Sequence, residues 1–343
     1  MFLFMKIEDY KKWKEYLTQK KSKFLDELEI FKDSCFPVIF SMYHLSQLTG
    51  IKTDVLSRII NSPESFYRQF TIKKRSGGER QITAPYPVLK SIQEWILKNI
   101  LEHISLNDAA KGFRKNTTII DNVLPHLGQK NVLKIDIKDF FPSITFNRVF
   151  MVFKNCGYSH QVAYYLARLC SLKNSLPQGA CTSPYLANVV SKRLDSRLYN
   201  LAERTGLAYT RYADDITFSG KKINVKLCNF IFSIIQNEGF EINIQKVKLL
   251  RNCQKKIITG ISINDTIPKL PRTTKRKWRQ DAYIVLRQSK DEYIEKYFKK
   301  DPVYLERLIG KFTFWHFIEK ENEYVISTLK KLKTYSIYLS QSI

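Results

Sequence analysis

The sequence lacks the patterns that mark zinc-binding, disulfide-bonded and membrane-spanning proteins. Its six cysteines lie far apart, include no Cys-x-x-Cys pair and do not cluster with its five histidines, so neither a zinc site nor a disulfide framework is expected. No apolar run reaches the length of a transmembrane helix, and the N-terminal apolar patch is too short for a signal peptide. We therefore expect a globular protein of the reducing cytoplasm, without a membrane partner.

Acidic residues are scarce as well. The chain of 343 residues carries 57 Lys and Arg against 32 Asp and Glu, which is a net charge of +25 at pH 7. Its basic clusters are spread along the whole chain, whereas a protein that binds membrane surfaces usually concentrates them on one amphipathic helix. Together with an aromatic content of 13%, this surplus favours nucleic acid as a long polyanionic partner.

Two common catalytic motifs are also missing. The sequence contains no Gly-x-x-x-x-Gly-Lys phosphate loop, which disfavours a P-loop motor protein. It contains no nucleophile elbow and no pattern typical of a Ser-His-Asp triad. The remaining candidates for chemistry are carboxylates, and these occur where the surrounding residues would not favour them.

Hydrophobic periodicity predicts helices at both ends of the chain and a mixed region between them. Residues 1–60 are predicted to be helical, with Gly50 as a helix C-cap, and helices follow again from Pro268 onward. Between them, the Ser-Gly-Gly at 76–78 marks a hairpin turn, and residues 183–206 are predicted to form one long helix. The order of strands and helices is typical of an α+β fold with an antiparallel sheet backed by helices.

Two adjacent aspartates stand in the run YTRYADDITFSG at residues 209–220, whose flanking residues favour strands. Aspartate is depleted in strands and like charges repel each other, so the pair requires an explanation. Asp214 and Asp215 are predicted at the exposed tip of a hairpin, and a turn is the structural explanation for them. The functional explanation is a divalent cation, because its charge would offset their repulsion.

A second acidic segment precedes this pair. Asp136 lies inside the strand-favouring run NVLKIDI, where an unpaired carboxylate would be costly. Asp139 comes three residues later and would point to the opposite face, so we expect it to cap a helix instead. Three carboxylates from neighbouring strands, those of Asp136, Asp214 and Asp215, predict a site for two Mg²⁺ ions that supports phosphoryl transfer.

Four motifs together resemble the reverse transcriptase family. YADD, between two apolar arms, resembles the metal-binding signature of that family, and DIKDFF resembles the acidic motif that precedes it. LPQGACTSP resembles the Leu-Pro-Gln-Gly-x-x-x-Ser-Pro motif, and GFEINIQK resembles the segment that ends in a lysine. Because the order and approximate spacing also agree, the resemblance is far more specific than any single motif.

The resemblance implies a right-hand polymerase fold with fingers, a palm and a thumb. Residues 1–128 would form an N-terminal helical region and the fingers. Residues 129–266 would form a palm whose antiparallel sheet is backed by helices, with an interleaved fingers segment at about 150–180. Residues 267–343 would form a helical, RNA-binding thumb.

The resemblance also implies a role for individual residues. Asp136, Asp214 and Asp215 would bind two Mg²⁺ ions and carry the catalysis. Phe141 would lie under the sugar of the incoming nucleotide and exclude a 2′-hydroxyl, with core packing beside Phe140 as the structural alternative. The other residues implied to bind the nucleotide are Lys74, Arg80, Gln178, Gly179 and Lys246.

Further segments resemble the bacterial retron branch of this family. Residues 122–126, NVLPH, match the retron Asn-Ala-x-x-His motif with Val in place of Ala, and residues 258–260, ITG, match Val-Thr-Gly with Ile in place of Val. RNA binding is implied for both motifs, and a structural histidine and a strand end are the alternatives. The residues implied to bind RNA are Asn122, His126, Thr259, Gly260, Arg272, Lys275, Arg276, Lys277 and Trp278.

The retron resemblance implies partners and a product. The enzyme would bind a structured non-coding RNA as both template and primer, start from a guanosine 2′-hydroxyl, and use dNTPs to make branched multicopy single-stranded DNA (msDNA). A host ribonuclease H would trim the template in the RNA–DNA hybrid product, and a retron effector protein would join the enzyme in anti-phage defence. The chain length is the one expected of a stand-alone retron enzyme.

Alternative functions remain open at this point. A group II intron-like or diversity-generating reverse transcriptase would share the four motifs, but the former usually adds a maturase domain. An abortive-infection polymerase would be expected to show divergent motifs and a long helical extension. A non-catalytic RNA-binding protein would be expected to have lost one or more of the three aspartates.

Overall fold

The computed structural model describes residue 31, residues 34–73 and residues 77–340. The helix predicted within the first 30 residues lies outside the described residues, and so does Lys74. In the part of the chain that is described, no helix is both long and apolar enough to cross a membrane.

The described chain contains both helices and strands up to residue 262, and helices follow. The helices are α1 (Met42–Thr49), α2 (Thr53–Asn61), α3 (Pro87–Asn99), α4 (Ile119–Val123), α5 (Phe146–Asn155), α6 (His160–Cys170), α7 (Ser183–Val190), α8 (Lys192–Thr205), α9 (Val225–Asn237), α10 (Arg272–Leu286), α11 (Lys290–Tyr293), α12 (Tyr304–Ile318) and α13 (Glu323–Ser340). The strands are β1 (Tyr67–Lys73), β2 (Glu79–Pro85), β3 (Asn131–Asp136), β4 (Ala208–Tyr212), β5 (Asp215–Gly220), β6 (Lys248–Leu250), β7 (Ile257–Ile258) and β8 (Ile261–Ser262).

A four-stranded antiparallel sheet, in the order β4-β5-β3-β6, occupies the centre of the described chain. Strand β3 is interior to this sheet, and both of its faces are largely buried, which explains its nearly continuous apolar composition. The predicted α+β architecture, with an antiparallel sheet and helices packed against it, is confirmed.

The hairpin predicted around the acidic pair is also confirmed. Strands β4 and β5 pair from Ala208 opposite Ser219 to Tyr212 opposite Asp215, which leaves Ala213 and Asp214 as the turn. Ala213 has φ +58°, in the left-handed region that non-glycine residues seldom adopt. The turn is tied to the neighbouring strand, because the amide of Ile137 donates a hydrogen bond to the carbonyl of Asp214 at 2.9 Å.

The prediction of one long helix over residues 183–206 was wrong in one respect. Helices α7 and α8 are separated at Ser191, whose ψ of 0° departs from helical geometry. Val189 and Val190 precede Ser191, and β-branched residues and serine are weak helix formers. The predicted end is confirmed, because Gly206 caps α8 in the left-handed conformation with φ +65°.

Helix α6 packs back onto the N-terminal helices α2 and α3. The Arg168 guanidinium donates a hydrogen bond to the carbonyl of Ile60 at 2.9 Å. The buried carboxamide of Gln93 donates to the carbonyl of Leu169 and to the Tyr67 hydroxyl, both at 2.8 Å. A segment from the middle of the chain is thus joined to the helices and hairpin that precede the sheet.

The buried apolar side chains of the described residues form two clusters. The first runs from residue 31 to residue 242 and includes the sheet, its helices and the N-terminal helices. The second consists mainly of residues 258–339, and Phe312 and Trp315 are fully buried within it. Val123 of α4 and Val132 of β3 also belong to the second cluster, which therefore extends from the C-terminal helices to the sheet region.

Candidate active site

The three predicted aspartates meet at the end of the sheet. Asp136 is the last residue of β3, Asp215 is the first residue of β5, and the two are direct partners across the strand pair. Residues that face each other in antiparallel strands present their side chains on the same face. Asp214 precedes Asp215 in the turn, so all three carboxylates come from one small region of the surface. The exposure expected of Asp214 and Asp215 was wrong, because both are half-buried; Asp136 is buried.

The electrostatics of this cluster favour a bound cation. Burial raises the pKa of Asp214 and of Asp215 above the usual value for an aspartate. The charge of Asp215 raises the pKa of Asp214 further, and the charge of Asp136 raises both. Like charges in a partly desolvated site repel, and a cation between them relieves the repulsion.

A lysine already supplies part of that positive charge. The Lys246 ammonium lies 2.9 and 3.0 Å from the two carboxylate oxygens of Asp136. This hydrogen-bonded ion pair raises the pKa of Lys246. The pairing is helped by the backbone, since the amide of Asn243 donates to the carbonyl of Asp136 at 2.9 Å. Lys246, predicted from its motif, is therefore part of the acidic site.

The donor set fits a hard divalent cation in its chemistry. Carboxylate oxygens are the ligands that Mg²⁺ prefers, and the raised pKa values show that the site disfavours uncompensated negative charge. Among the described residues, no group of three His, Cys, Asp or Glu side chains is already arranged as a metal-binding cluster. One of the three carboxylates is instead paired with Lys246.

The loop that contains Gln178 and Gly179 is fastened to strand β2. The amide of Thr83 donates a hydrogen bond to the carbonyl of Gln178 at 2.8 Å. Gly179 has φ +137°, and a Cβ at this position would lie 2.7 Å from the carbonyl oxygen of Thr83, so only glycine fits. Strand β2 also carries Arg80, which is exposed. The predicted nucleotide-binding loop and the basic hairpin are thus neighbours.

Phe141 lies in a group of aromatic rings beside the acidic segment. Its half-buried ring lies 5.7 Å from that of Phe140 and 6.0 Å from that of Phe113. The predicted residues do not include Phe113, although it has φ +58° and is 41% exposed. Its only signal in the sequence is an aromatic residue that follows Gly112 in a basic segment. A strained, exposed aromatic beside Phe141 is a candidate contact for a nucleotide.

Asp139 lies outside strand β3, which ends at Asp136. It occupies a turn with φ +45°, and its side chain is exposed. Its carbonyl accepts a hydrogen bond from the amide of Ser143 at 2.8 Å. The expectation that Asp139 caps a helix was wrong, because it lies in a turn rather than at the start of a helix.

The RNA-binding role predicted for the side chains of Asn122 and His126 was wrong. Asn122 is 1% exposed and His126 is fully buried. The two ring nitrogens of His126 lie 2.6 Å from the Ser219 hydroxyl and 2.8 Å from the Thr210 hydroxyl. His126 therefore joins the loop after α4 to strands β4 and β5, and its ring has no access to an RNA.

The buried position of His126 predicts an acid-sensitive fold. Burial lowers the pKa of His126 to about 3, whereas the ring takes up a proton near pH 6.5 in the unfolded chain. The unfolded state alone binds this proton between those values, so stability falls as the pH drops below 6.5. We expect this histidine to reduce the free energy of unfolding by about 2 kcal/mol between pH 7 and pH 5.

Urea unfolding at both pH values measures this effect. A His126→Gln variant should lose stability overall but show a shallower dependence on pH than the parent. His103→Gln is the matched control, because His103 is exposed, and its pH dependence should equal that of the parent. Equal slopes for the parent and His126→Gln would contradict the assignment of a neutral buried ring.

The second retron-like motif forms a tight turn. Thr259 and Gly260 connect β7 to β8 with φ values of +45° and +86°. Both positive values are typical of a two-residue type I′ hairpin. The Asn122 carboxamide nitrogen lies 3.5 Å from the Thr259 hydroxyl, so the two retron-like motifs contact each other. Thr259 is half-buried and Gly260 is exposed, so the tip of this hairpin is accessible to a ligand.

The predicted RNA-binding residues of α10 fall into two groups. Arg272, Arg276 and Lys277 are exposed and available for phosphate contacts. The side chain of Lys275 is 18% exposed and forms an ion pair with Glu319 at 2.6 Å. The half-buried ring of Trp278 packs edge-on against Trp315 at 6.3 Å. Lys275 and Trp278 therefore hold helices together, and a stacking role for Trp278 on a base is not supported.

Comparison with known proteins identifies the family. The family model described as reverse transcriptase (RNA-dependent DNA polymerase) matches residues 72–280. The retron Ec86 reverse transcriptase of Escherichia coli is 37% identical over 249 residues, which cover 71% of this chain and 78% of that protein. The retron Mx65 reverse transcriptase of Myxococcus xanthus is 38% identical over 221 residues, which cover 59% of this chain and 52% of that protein.

Among solved structures, a Candida albicans telomerase aligns with a TM-score of 0.45 at 11% identity, covering 89% of this chain and 69% of that chain. The family assignment comes from the sequence matches, which also identify the fold as that of a right-hand polymerase. Enzymes with this domain require a divalent metal cation. The chain therefore belongs to the reverse transcriptase family, within its bacterial retron branch, and is an RNA-directed DNA polymerase.

Proposed function

We propose that this polymerase adds deoxynucleotides at a site formed by Asp136, Asp214 and Asp215, which would bind two Mg²⁺ ions. The observation that carries the proposal is the direct pairing of Asp136 with Asp215 across β3 and β5, with Asp214 in the adjoining turn. Bound Mg²⁺ would activate the attacking hydroxyl and neutralise charge on the departing pyrophosphate.

The basic residues around the site would handle the triphosphate. Arg80 is exposed on the strand to which the Gln178 loop is fastened, and a guanidinium can bind phosphate through two parallel hydrogen bonds. Lys74, which lies outside the described residues, would assist it. The Lys246 ammonium, which is paired with Asp136, would act on the pyrophosphate as it leaves.

The neighbouring loop and aromatic group would select the substrate. Gly179 lets its loop lie against Thr83 of β2 and would let the backbone approach the nucleotide, while Gln178 would contact the nucleotide and the template strand. The ring of Phe141 would lie under the sugar and leave no room for a 2′-hydroxyl. Its half-buried position beside Phe113 and Phe140 supports this role, because the neighbouring rings restrict its movement.

We assign the parts of the right hand as the motifs suggest. Residues 1–128 would include the fingers, with a further fingers segment at about 150–180, and the packing of α6 on α2 and α3 supports this division. Residues 129–266 would form the palm. Residues 267–343 would form the thumb, supported by the separate buried cluster of the C-terminal helices.

The retron branch suggests a template and a product. We propose that the chain binds a structured non-coding RNA and copies part of it into msDNA, primed by the 2′-hydroxyl of a guanosine. Exposed Arg272, Arg276 and Lys277 and the tip of the β7–β8 hairpin would contact this RNA. A host ribonuclease H would trim the template, and a retron effector protein would act with the complex in anti-phage defence.

The priming proposal predicts a covalent RNA–DNA product. When the gene and its flanking DNA are expressed together, the purified protein should carry an RNA with DNA attached through a 2′–5′ branch. Ribonuclease treatment followed by a debranching enzyme should release the DNA in a form of changed mobility. An Asp214→Asn protein expressed in the same way should carry the RNA without DNA. Linear complementary DNA alone would instead favour a group II intron-like or diversity-generating mode of priming.

A further inference from the structure

A buried ion pair lies behind the acidic hairpin. Arg211, on β4, and Asp195, on α8, both have side chains with no solvent exposure. Two hydrogen bonds join them, one from Nε of Arg211 to Oδ1 and one from Nη2 to Oδ2 of Asp195, each at 2.7 Å. The Tyr209 hydroxyl also donates to Oδ1 of Asp195 at 2.7 Å. Arg211 lies three residues before Asp214, and the pair plays no part in the mechanism described above.

Stability alone does not account for such a pair. Removing two charges from water costs several kcal/mol per ion, and apolar residues of similar volume are often equally stable or better. The role of a buried arginine is therefore indicated mainly by the groups that its other N–H donors, those not bonded to the aspartate, hold in place. The guanidinium has five N–H groups in a rigid plane, and Asp195 uses only two of them.

One of the remaining donors reaches the catalytic turn. Nη1 of Arg211 donates a hydrogen bond to the carbonyl of Ala213 at 3.0 Å. Ala213 is the residue with φ +58° that immediately precedes Asp214. A left-handed conformation is strained for a non-glycine residue and persists only where the surroundings hold it. The Arg211 donor supplies such support directly at the strained peptide.

The same guanidinium connects the turn to helix α7. Nη2 of Arg211 donates to Oδ1 of Asn188 at 3.1 Å, and the Asn188 nitrogen donates to the carbonyl of Gly112 at 2.8 Å. Gly112 packs against the other side of the turn, where a Cβ would lie only 2.8 Å from the amide nitrogen of Ala213. The turn is therefore held on two sides by one network, and α7 begins four residues after Gly179.

We propose that Arg211 is a positioning residue, which holds the Ala213–Asp215 turn in its catalytic conformation. The inference rests on the proposed role of the aspartates as metal ligands. A lysine at position 211 would keep the charge opposite Asp195 but could not reach Asp195, Asn188 and Ala213 together. The turn would then lose its donor while the buried charge remained paired.

Two variants test this role. Arg211→Lys keeps the charge, and the double variant Arg211→Met with Asp195→Leu removes both charges without leaving either one unpaired, so that folding can be retained. Arg193→Lys is the matched control, because the exposed side chain of Arg193 lies on the same helix as Asp195 and also pairs with a carboxylate, that of Glu238. Circular dichroism and urea unfolding establish that each protein is folded.

Three measurements separate positioning from a structural role. On an RNA template, kcat for dNTP addition should fall about 100-fold in both variants, while KM for the primer–template changes less than about twofold. The Mg²⁺ concentration for half-maximal activity should rise. The increase in melting temperature on adding Mg²⁺ should also shrink, which reports on the site without any turnover. The control should match the parent in all three measurements.

The outcomes also separate this inference from the proposed function. Folded variants with parental kcat and a parental Mg²⁺ response would overturn the positioning role and leave a purely structural ion pair. If Asp214→Asn keeps the Mg²⁺-dependent rise in melting temperature, the proposed metal site itself is wrong. If Arg211→Lys does not fold, the double variant, which lacks both charges of the Arg211–Asp195 pair, provides the test of the positioning role.

Discussion

Replacing Asp214 by Asn is expected to reduce DNA synthesis by about a thousandfold or more, because a metal-bound carboxylate stabilises the transition state by several kcal/mol. The change keeps the size of the side chain and removes one negative charge at the tip of the hairpin. Incorporation of a labelled dNTP on an RNA template in the presence of Mg²⁺ measures the effect.

The same variant should be at least as stable as the parent when no divalent cation is present. Burial and the charge of Asp215 raise the pKa of Asp214, which means that the ionised form is disfavoured in the folded protein. Asparagine removes that penalty at neutral pH. Added Mg²⁺ should raise the melting temperature of the parent more than that of the variant. These stability measurements would show that the variant loses activity without losing its fold.

The matched control is Asp54→Asn. The Asp54 carboxylate is exposed on α2 and forms an i,i+4 ion pair with Arg58, which contributes little to stability. This variant should keep parental activity and a parental response to Mg²⁺. Equal DNA synthesis by Asp214→Asn and the parent would remove the catalytic assignment of the acidic hairpin.

A single methyl group at Gly179 is expected to lower kcat/KM for dNTP addition by about 100-fold. The added Cβ would lie 2.7 Å from the carbonyl oxygen of Thr83, and a φ of +137° is strained for alanine in any case. Relief of this clash requires the loop to move away from β2, which would also weaken the hydrogen bond between Thr83 and Gln178. Steady-state kinetics of Gly179→Ala on an RNA template measures the loss.

The chain offers a matched control for this change. Gly310 lies within α12, and a Cβ there meets no atom within 4 Å. Gly310→Ala should therefore leave kinetics unchanged and stabilise the protein by about 0.5–1 kcal/mol, because alanine favours the helix. Parental kinetics in Gly179→Ala would show that the loop tolerates displacement and is not a close contact for the nucleotide.

Local sequence patterns were sufficient for much of the site. The hairpin tip at Asp214 follows from two strand-favouring arms that flank residues disfavoured in strands, and the cap at Gly206 follows from the freedom of glycine to adopt positive φ. Asp136 could be chosen because a carboxylate inside an apolar strand is costly unless it has a partner, and it is indeed the last residue of β3 and paired with Lys246. Each of these inferences depends on residues within a few positions of one another.

Other predictions failed because burial is not a local property. His126 belongs to a motif that was expected to contact RNA, yet its ring is hydrogen-bonded to the hydroxyl of Ser219, 93 residues away. Trp278 lies in a strongly basic segment, from which its contact with Trp315 of α12 could not be foreseen. In both cases the deciding contact comes from a distant part of the chain.

The amino-acid sequence by itself determined the chemistry of this protein: its excess of positive charge, its three aspartates and the order of the motifs that surround them. The tertiary structure decided which side chains lie together in the site and which are buried in the core. The pairing of Asp136 with Asp215, the ion pair of Lys246 and the support of the turn by Arg211 all require strand register and helix packing. Those depend on the burial of apolar surface across the whole chain, which no short segment specifies.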